Sequence, residues 1–303
     1  MKCITINELN ELAKTPEKFI EQGECAYFEQ ISAAADRIFE QREQRPAVLI
    51  SGPSGSGKTT SAARIAHLLR DKGCKTHIIS MDNYFLPLHL NVMPADEEGK
   101  IDYESPERMD IPLFREQLEK LINCEEINIP LFDFALQDRK LGMTLKRQSG
   151  DLIIIEGIHA LNPLLTGGFE NCMQSVYVSV RTRVRDGDTL LHPSKIRLMR
   201  RLMRDKLYRG RSLTETFDFF KGVERGENLY IMPYKDRADL DIDTFIEYEV
   251  SVYRDILLPD LKTIAALYPD YGQFSDIETF LTLLSPLNRN YVPENSLIKE
   301  FIG

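Results

Sequence analysis

Apolar positions along the 303-residue chain repeat in two ways. Over residues 5–45 they return at helical spacing, as Leu9 and Leu12 and later as Ile31, Ala34, Ala35 and Ile38. Pro46 interrupts that run. Four short, mostly apolar stretches follow: AVLI (Ala47–Ile50), THII (Thr76–Ile79), LIII (Leu152–Ile155) and SVYVSV (Ser175–Val180). Stretches of this kind suit strands covered on both faces. KTTSAARIAHLLRDKG predicts a helix stopped by Gly73, and SPERMDIPLFREQLEKLIN a second helix capped by Ser105. Residues 83–105, with Pro87, Pro94 and Gly99, read as an irregular loop. From Thr244 onward the pattern is helical with a Pro-rich connection. Strands alternating with helices predict an α/β fold with a mainly parallel sheet and helices on both faces. The expected organisation is a helical lead-in (1–45), a sheet-bearing domain (46–243) and a helical extension (244–303) packed on the same body.

Composition narrows the class. A formal net charge of −9 argues against broad nucleic-acid binding. Five cysteines without metal-like spacing suggest free thiols in a reducing cytoplasm. The N-terminal MKCITINELNELAKTPEKF has no signal-peptide apolar core, and no run reaches the roughly 18 apolar residues of a membrane span. A homo-oligomer is compatible with all of this.

GPSGSGKT (Gly52–Thr59) lies between the first buried strand and a helix, where a phosphate-binding loop belongs. Its glycines let backbone amides turn around phosphate oxygens. Lys58 reaches the β and γ phosphates, and the Thr59 hydroxyl ligates Mg²⁺. Asp82 and Glu156 stand just past two strand ends, on the side where an open parallel sheet takes its ligand. Glu156 is the candidate on the metal side, and Asp82 could take the proton of an attacking hydroxyl.

RLMRRLMRDKLYRGR (Arg197–Arg211) holds six arginines in an acidic chain. On a helix, Arg197, Arg200, Arg201 and Arg204 share one face, opposite Leu198, Met199, Leu202 and Met203. A face of like charges calls for an anion. The expectation is a solvent-facing lid, about 190–225, closing over a triphosphate, with planar guanidinium forks suited to phosphate. The plainer reading is an acidic patch elsewhere in the fold.

Seven segments in order, GPSGSGKTT, SMDNYF, YESPERMD, PLFDFALQDR, LIIIEGI, RLMRRLMRDKLYRGR and MPYKDRAD, resemble the uridine kinase and phosphoribulokinase family of P-loop kinases. The likeness is strongest to bacterial uridine kinase-like nucleoside kinases, and the tail PENSLIKEFIG resembles theirs too. The resemblance implies an ATP- and Mg²⁺-dependent kinase of a small hydroxyl-bearing acceptor, in nucleosides the 5′-OH. It implies ATP contacts from Gly52, Pro53, Ser54, Gly55, Ser56, Gly57, Lys58, Thr59, Thr60, Arg204 and Arg209. Asp82, Lys58 and Arg204 would be catalytic, and Thr59, Glu156 and Asp82 would serve the metal. Tyr84, Glu104, Phe132, Phe134, Gln137, Arg201, Arg211 and Phe219 join Asp82 on the acceptor side.

The sequence departs from that pattern where a pyrimidine would be read. Phe132 replaces a tyrosine, Gln137 a histidine and Phe219 a glutamine, and Glu104 stands where aspartate is usual. Weak selectivity for uracil is therefore expected. A phosphosugar acceptor and a nucleotide-gated regulator are the competing readings; the acceptor-side acid Asp82 favours the kinase.

Overall fold

The computed structural model describes residues 2–90, 93–265, 268 and 271–303. The lead-in is strand β1 (Cys3–Thr5) followed by helices α1 (Ile6–Leu12) and α2 (Pro16–Gln41). Thr5 starts α1 with a reciprocal cap: its hydroxyl accepts from Glu8 N while the Glu8 carboxylate accepts from Thr5 N. Next come β2 (Ala47–Ser51), α3 (Lys58–Asp71) and β3 (Thr76–Ser80). α4 (Ile111–Ile122) leads into a hairpin of β4 (Glu126–Asp133) and β5 (Asp138–Lys146), and then to β6 (Leu152–Glu156), α5 (Pro163–Thr166) and β7 (Met173–Ser179). A second region holds β8 (Arg183–Asp186), β9 (Thr189–Leu191), α6 (Pro193–Tyr208), α7 (Leu213–Tyr230) and β10 (Leu240–Asp243). α8 (Glu249–Ile264), α9 (Ser275–Leu283) and α10 (Lys299–Ile302) complete the chain.

Five strands form a parallel sheet in the order β10-β7-β2-β6-β3. Every residue of β2, β6 and β7 is buried, as their unbroken apolar runs require. One face packs Val48, Ile50, Ile154 and Val176 against α2, α3, α6 and α8, and the other packs Leu49, Ile153, Ile155 and Tyr177 against α4 and the hairpin. Central β2 pairs with β6 on one side and β7 on the other. The loop leaving β2 thus opens into the crevice at the strands' carboxyl ends, where such sheets bind ligands. No helix among the described residues is long and apolar enough to cross a membrane.

The second predicted helix begins later than expected. Ser105 caps only a short 3₁₀ turn (Pro106–Arg108), Met109 is extended, and Asp110 caps α4 by accepting from Leu113 N at 3.2 Å. The hairpin, β10 and the small β1-β8-β9 sheet were not expected. They have short or mixed patterns, and β1 and β10 pair with strands far away in sequence.

The arginine face is the larger correction. Arg197, Arg200 and Arg201 are 3%, 0% and 5% exposed, as buried as Leu198 and Met199 behind them. α6 is sandwiched between the core and the phosphate loop over residues 196–203, and only its C-terminal end, with Leu207 and Tyr208, is open to water. Arg197 donates to Glu227 Oε2 of α7 at 2.5 Å and to Ser54 O at 3.1 Å. Arg200 grips Glu249 of α8 in a fork, with Nε to Oε2 at 2.8 Å and Nη2 to Oε1 at 2.9 Å. It also donates to Thr244 O at 2.6 Å and Gly55 O at 3.1 Å. Ile246 N and the Tyr253 hydroxyl fill the remaining positions on the Glu249 carboxylate. For these two arginines the plainer reading, acids elsewhere in the fold, is the one observed.

The Arg200–Glu249 pair is fully buried. Removing one partner of such a pair leaves an uncompensated charge and costs about 3–5 kcal/mol. Arg200→Ala or Glu249→Ala should therefore lower Tm by roughly 10 °C in thermal melts. Arg209→Ala, whose side chain is 47% exposed, should move it by less than about 2 °C. Equal, small shifts in all three variants would contradict a structural role for Arg200.

Candidate functional site

The phosphate loop is held from outside through its carbonyls. Those of Pro53, Ser54, Gly55 and Ser56 accept, respectively, from Lys58 Nζ (3.3 Å), Arg197 (3.1 Å), Arg200 (3.1 Å) and the Thr244 hydroxyl (2.7 Å). With the carbonyls engaged there, the loop's amides other than Ser56 N, which donates to Pro53 O at 3.2 Å, are available to an anion on the inner side. Gly57 caps α3 with φ +81°, a left-handed conformation, and a Cβ there would come within 2.8 Å of Leu297 in the C-terminal tail. The same tail reaches the loop again: the Thr60 hydroxyl donates to Glu300 of α10 at 2.5 Å. Burial lowers the pKa of Lys58, opposed by the surrounding carboxylates of Glu156, Asp82, Glu300 and Glu104.

The two strand-end acids face this loop. Glu156 Oε1 accepts from the Ser80 hydroxyl at 2.7 Å, and Oε2 lies 3.5 Å from Thr59 Oγ1. A hydroxyl and a carboxylate side by side form an oxygen-only donor set, which fits Mg²⁺. Asp82 sits on a 3₁₀ turn (Met81–Tyr84) directly after β3. Met81 is buried against Gly157, where a Cβ would lie 2.6 Å from Met81 Cβ, and this contact fixes the turn. Solvent reaches Asp82 at the floor of the cleft. Desolvation by the surrounding protein, and then the nearby Glu156 charge, raise its pKa to about 6 against the pull of Lys58, Arg209 and Arg108.

On the acceptor side, Tyr84 is a correction. It is 1% exposed, its hydroxyl donates to Gln117 at 2.8 Å, and it packs edge-on to Phe114, so it belongs to the core. On a tight turn the side chain two residues after Asp82 points away, into the same apolar cluster that holds Phe85. Phe85 packs with Phe132 at a ring separation of 5.7 Å and with Phe134 at 6.1 Å, and those two rings lie 5.2 Å apart. Gln137 has φ +52° and donates one hydrogen of its amide nitrogen to Phe134 O at 2.8 Å, within its own turn. Across the cleft, the Arg211 guanidinium stacks on Phe219 at 4.3 Å, and Phe219 leans on Tyr103 at 6.2 Å. Glu104 lies between, its pKa raised by burial against the pull of Arg201 and Lys58. Arg201 donates to Ser54 Oγ at 2.5 Å. Burial and then the Arg204 charge bring its pKa down to about 10, so it stays charged at neutral pH.

Asp205 was overlooked in the sequence. Fully buried, it lies within 3.2–3.8 Å of the guanidinium groups of Arg201, Arg204, Arg209 and Arg211. Its carbonyl accepts from Arg209 N and Arg211 N, which folds the chain back after α6. One carboxylate thus gathers four arginines and cancels a quarter of their charge. The signal was present as the lone acid inside the arginine run. Glu300, by contrast, carried no sequence signal, because only the fold returns the tail to Thr60.

Residues 48–251 match the Phosphoribulokinase / Uridine kinase family. A uridine kinase from Lactobacillus helveticus is 33% identical over 224 residues, covering 73% of this chain and 96% of that protein. A uridine kinase from Borrelia duttonii is 32% identical over 219 residues, covering 71% and 93%. Among solved structures, one from Silicibacter described as a candidate fructose transport system kinase superposes with a TM-score of 0.55 at 22% identity, covering 70% of this chain and 98% of that one. With a phosphate loop, strand-end acids and an arginine-rich helix in one crevice, the chain belongs to the phosphoribulokinase and uridine kinase family of P-loop kinases.

Proposed function

We propose that the chain transfers the γ-phosphoryl group of ATP to the 5′-OH of a nucleoside. The observation that carries this reading is Asp82, an acceptor-side carboxylate in one cleft with Lys58 of the phosphate loop. A protein that only senses a nucleotide has no use for it. Asp82 takes the proton as the acceptor oxygen attacks phosphorus and the bond to the leaving ADP oxygen breaks. Lys58, Arg204 and Arg209 offset charge on the transferring group, and Arg201 and Glu104 position the acceptor. Bound by Thr59 and Glu156, Mg²⁺ would supply charge neutralisation at the phosphate oxygens. The exposed aromatic faces of Phe134, Tyr103 and Phe219 suit a flat base, and the uridine kinases among the relatives favour a nucleoside. All five cysteines are free, which suits a reducing cytoplasm.

Asp82→Asn should lower turnover of nucleoside at least about 10²-fold while leaving ATP binding in place. In the wild type, kcat/KM for the acceptor should fall as pH drops below about 6, because protonated Asp82 cannot accept a proton. Near-normal turnover by the asparagine variant, or an acid limb that survives in it, would remove Asp82 from this role. Turnover confined to phosphosugars in an acceptor screen read out by ADP release would overturn the nucleoside assignment.

Glu300 holds a carboxylate 2.5 Å from a phosphate-loop hydroxyl, negative charge where ATP brings more. Glu300→Gln should lower the KM for ATP about threefold or more, with the difference shrinking in high salt. An unchanged or raised KM would mean that Glu300 only anchors the tail.

A further inference from the structure

Arg108 has no part in the chemistry above. It lies in the 3₁₀ turn after Ser105, with its backbone fixed on both sides: Arg108 N donates to Ser105 O at 3.2 Å, and Leu86 N donates to Arg108 O at 2.8 Å. Its side chain is 7% exposed. The guanidinium carbon sits 4.9 Å from the centroid of the Phe85 ring and 5.3 Å from that of Tyr103. Among the described residues no hydrogen bond or ion pair reaches that guanidinium, and its Nε is buried without a partner. Buried donors are rarely left unmade, and each costs stability. Arg147, comparably buried, illustrates the rule by donating to four backbone carbonyls.

The surroundings place these donors in the acceptor half of the cleft. Tyr103, Glu104 and Asp82 are the groups whose charge acts on Arg108. Phe85 links it to Phe132 and Phe134. Of the two residues that stand where the family pattern reads a base, Phe132 has no polar atom and the Gln137 amide already donates one hydrogen to Phe134 O.

We propose that Arg108 is a specificity-determining residue which hydrogen-bonds the carbonyl oxygen at the 4-position of a pyrimidine, or the 6-position of a purine, in the acceptor base. The inference rests on the nucleoside reading above and refines it. A guanidinium donates and cannot accept. It therefore pairs with O4 of uracil or O6 of hypoxanthine and guanine, and opposes the amino group that cytosine and adenine carry at the same position. A neutral carbonyl also fits better than an anion, because the charges of Asp82 and Glu104 already act on Arg108 and would repel a further negative group. Selectivity then follows the carbonyl rather than uracil itself, so Phe132, Gln137 and Phe219 can depart from the family pattern without loss of discrimination.

The test is kcat/KM for uridine against cytidine and for inosine against adenosine, with the protein and its variants. The wild type should favour the carbonyl member of each pair by about tenfold or more. Arg108→Gln, whose amide both donates and accepts, should bring both ratios to within about threefold of unity, with the loss for uridine expressed in KM. Arg108→Lys should retain a preference for the carbonyl members. These ratios are internal to each variant, so a fall in stability alone does not move them. Wild-type ratios near unity, or ratios that Arg108→Gln leaves intact, would overturn the assignment of Arg108 while leaving the nucleoside kinase in place. Failure to phosphorylate any of the four nucleosides, with an anionic sugar accepted instead, would overturn both.

Discussion

One buried ion pair ties this architecture together. Arg200 lies on the helix that follows the sheet's crevice, and Glu249 on a helix beyond the sheet's last strand. Their fork also carries the carbonyls of Gly55 and Thr244, while the Thr244 hydroxyl holds Ser56 O. A loop rich in glycine has many conformations, and its anion site exists only if its amides are kept facing inward. Charge-assisted bonds from a residue with no exposure supply that restraint. The pair is satisfied on every side, the condition under which a buried ion pair is tolerated. The phosphate site therefore depends on residues outside the motif that announces it.

The electrostatics of the crevice have a common logic. Lys58 is surrounded by carboxylates, and four arginines are gathered around Asp205. Each cluster is partly neutralised by its own neighbours, so the fold does not have to hold a naked field of positive charge. An arriving polyanion meets cations already positioned on rigid elements. Preorganisation of this kind is what phosphoryl transfer needs most.

The sequence made the central strands, the phosphate loop and the two strand-end acids legible because each is local. Apolar runs mark β2, β6 and β7, and the glycine spacing marks the loop. The arginine helix was misread for a physical reason. Helical spacing tells which residues share a face, but not what that face meets, and Glu227 and Glu249 lie 30 and 49 residues from their partners. Tyr84 was misplaced because a 3₁₀ turn rotates successive side chains differently from a strand. Arg108 and Glu300 were invisible because their meaning lies in what the fold brings near them. The hairpin escaped notice because β5 is largely exposed and carries no buried stripe.

The glycine at position 226 bears on how such a site can change over generations. It sits inside α7, where glycine costs about 1 kcal/mol relative to alanine. A Cβ at that point would lie 2.2 Å from Glu104 Cβ, so the helix gives up stability to admit the side chain at position 104. The two positions are consequently not free to vary in either order. A lineage carrying alanine at 226 would first have to lose that methyl group before this placement of residue 104 became available, and with Glu104 in place reversion at 226 would be blocked. The acceptor side of the cleft is thus subject to a ratchet set on a helix that itself makes none of the proposed contacts through that residue.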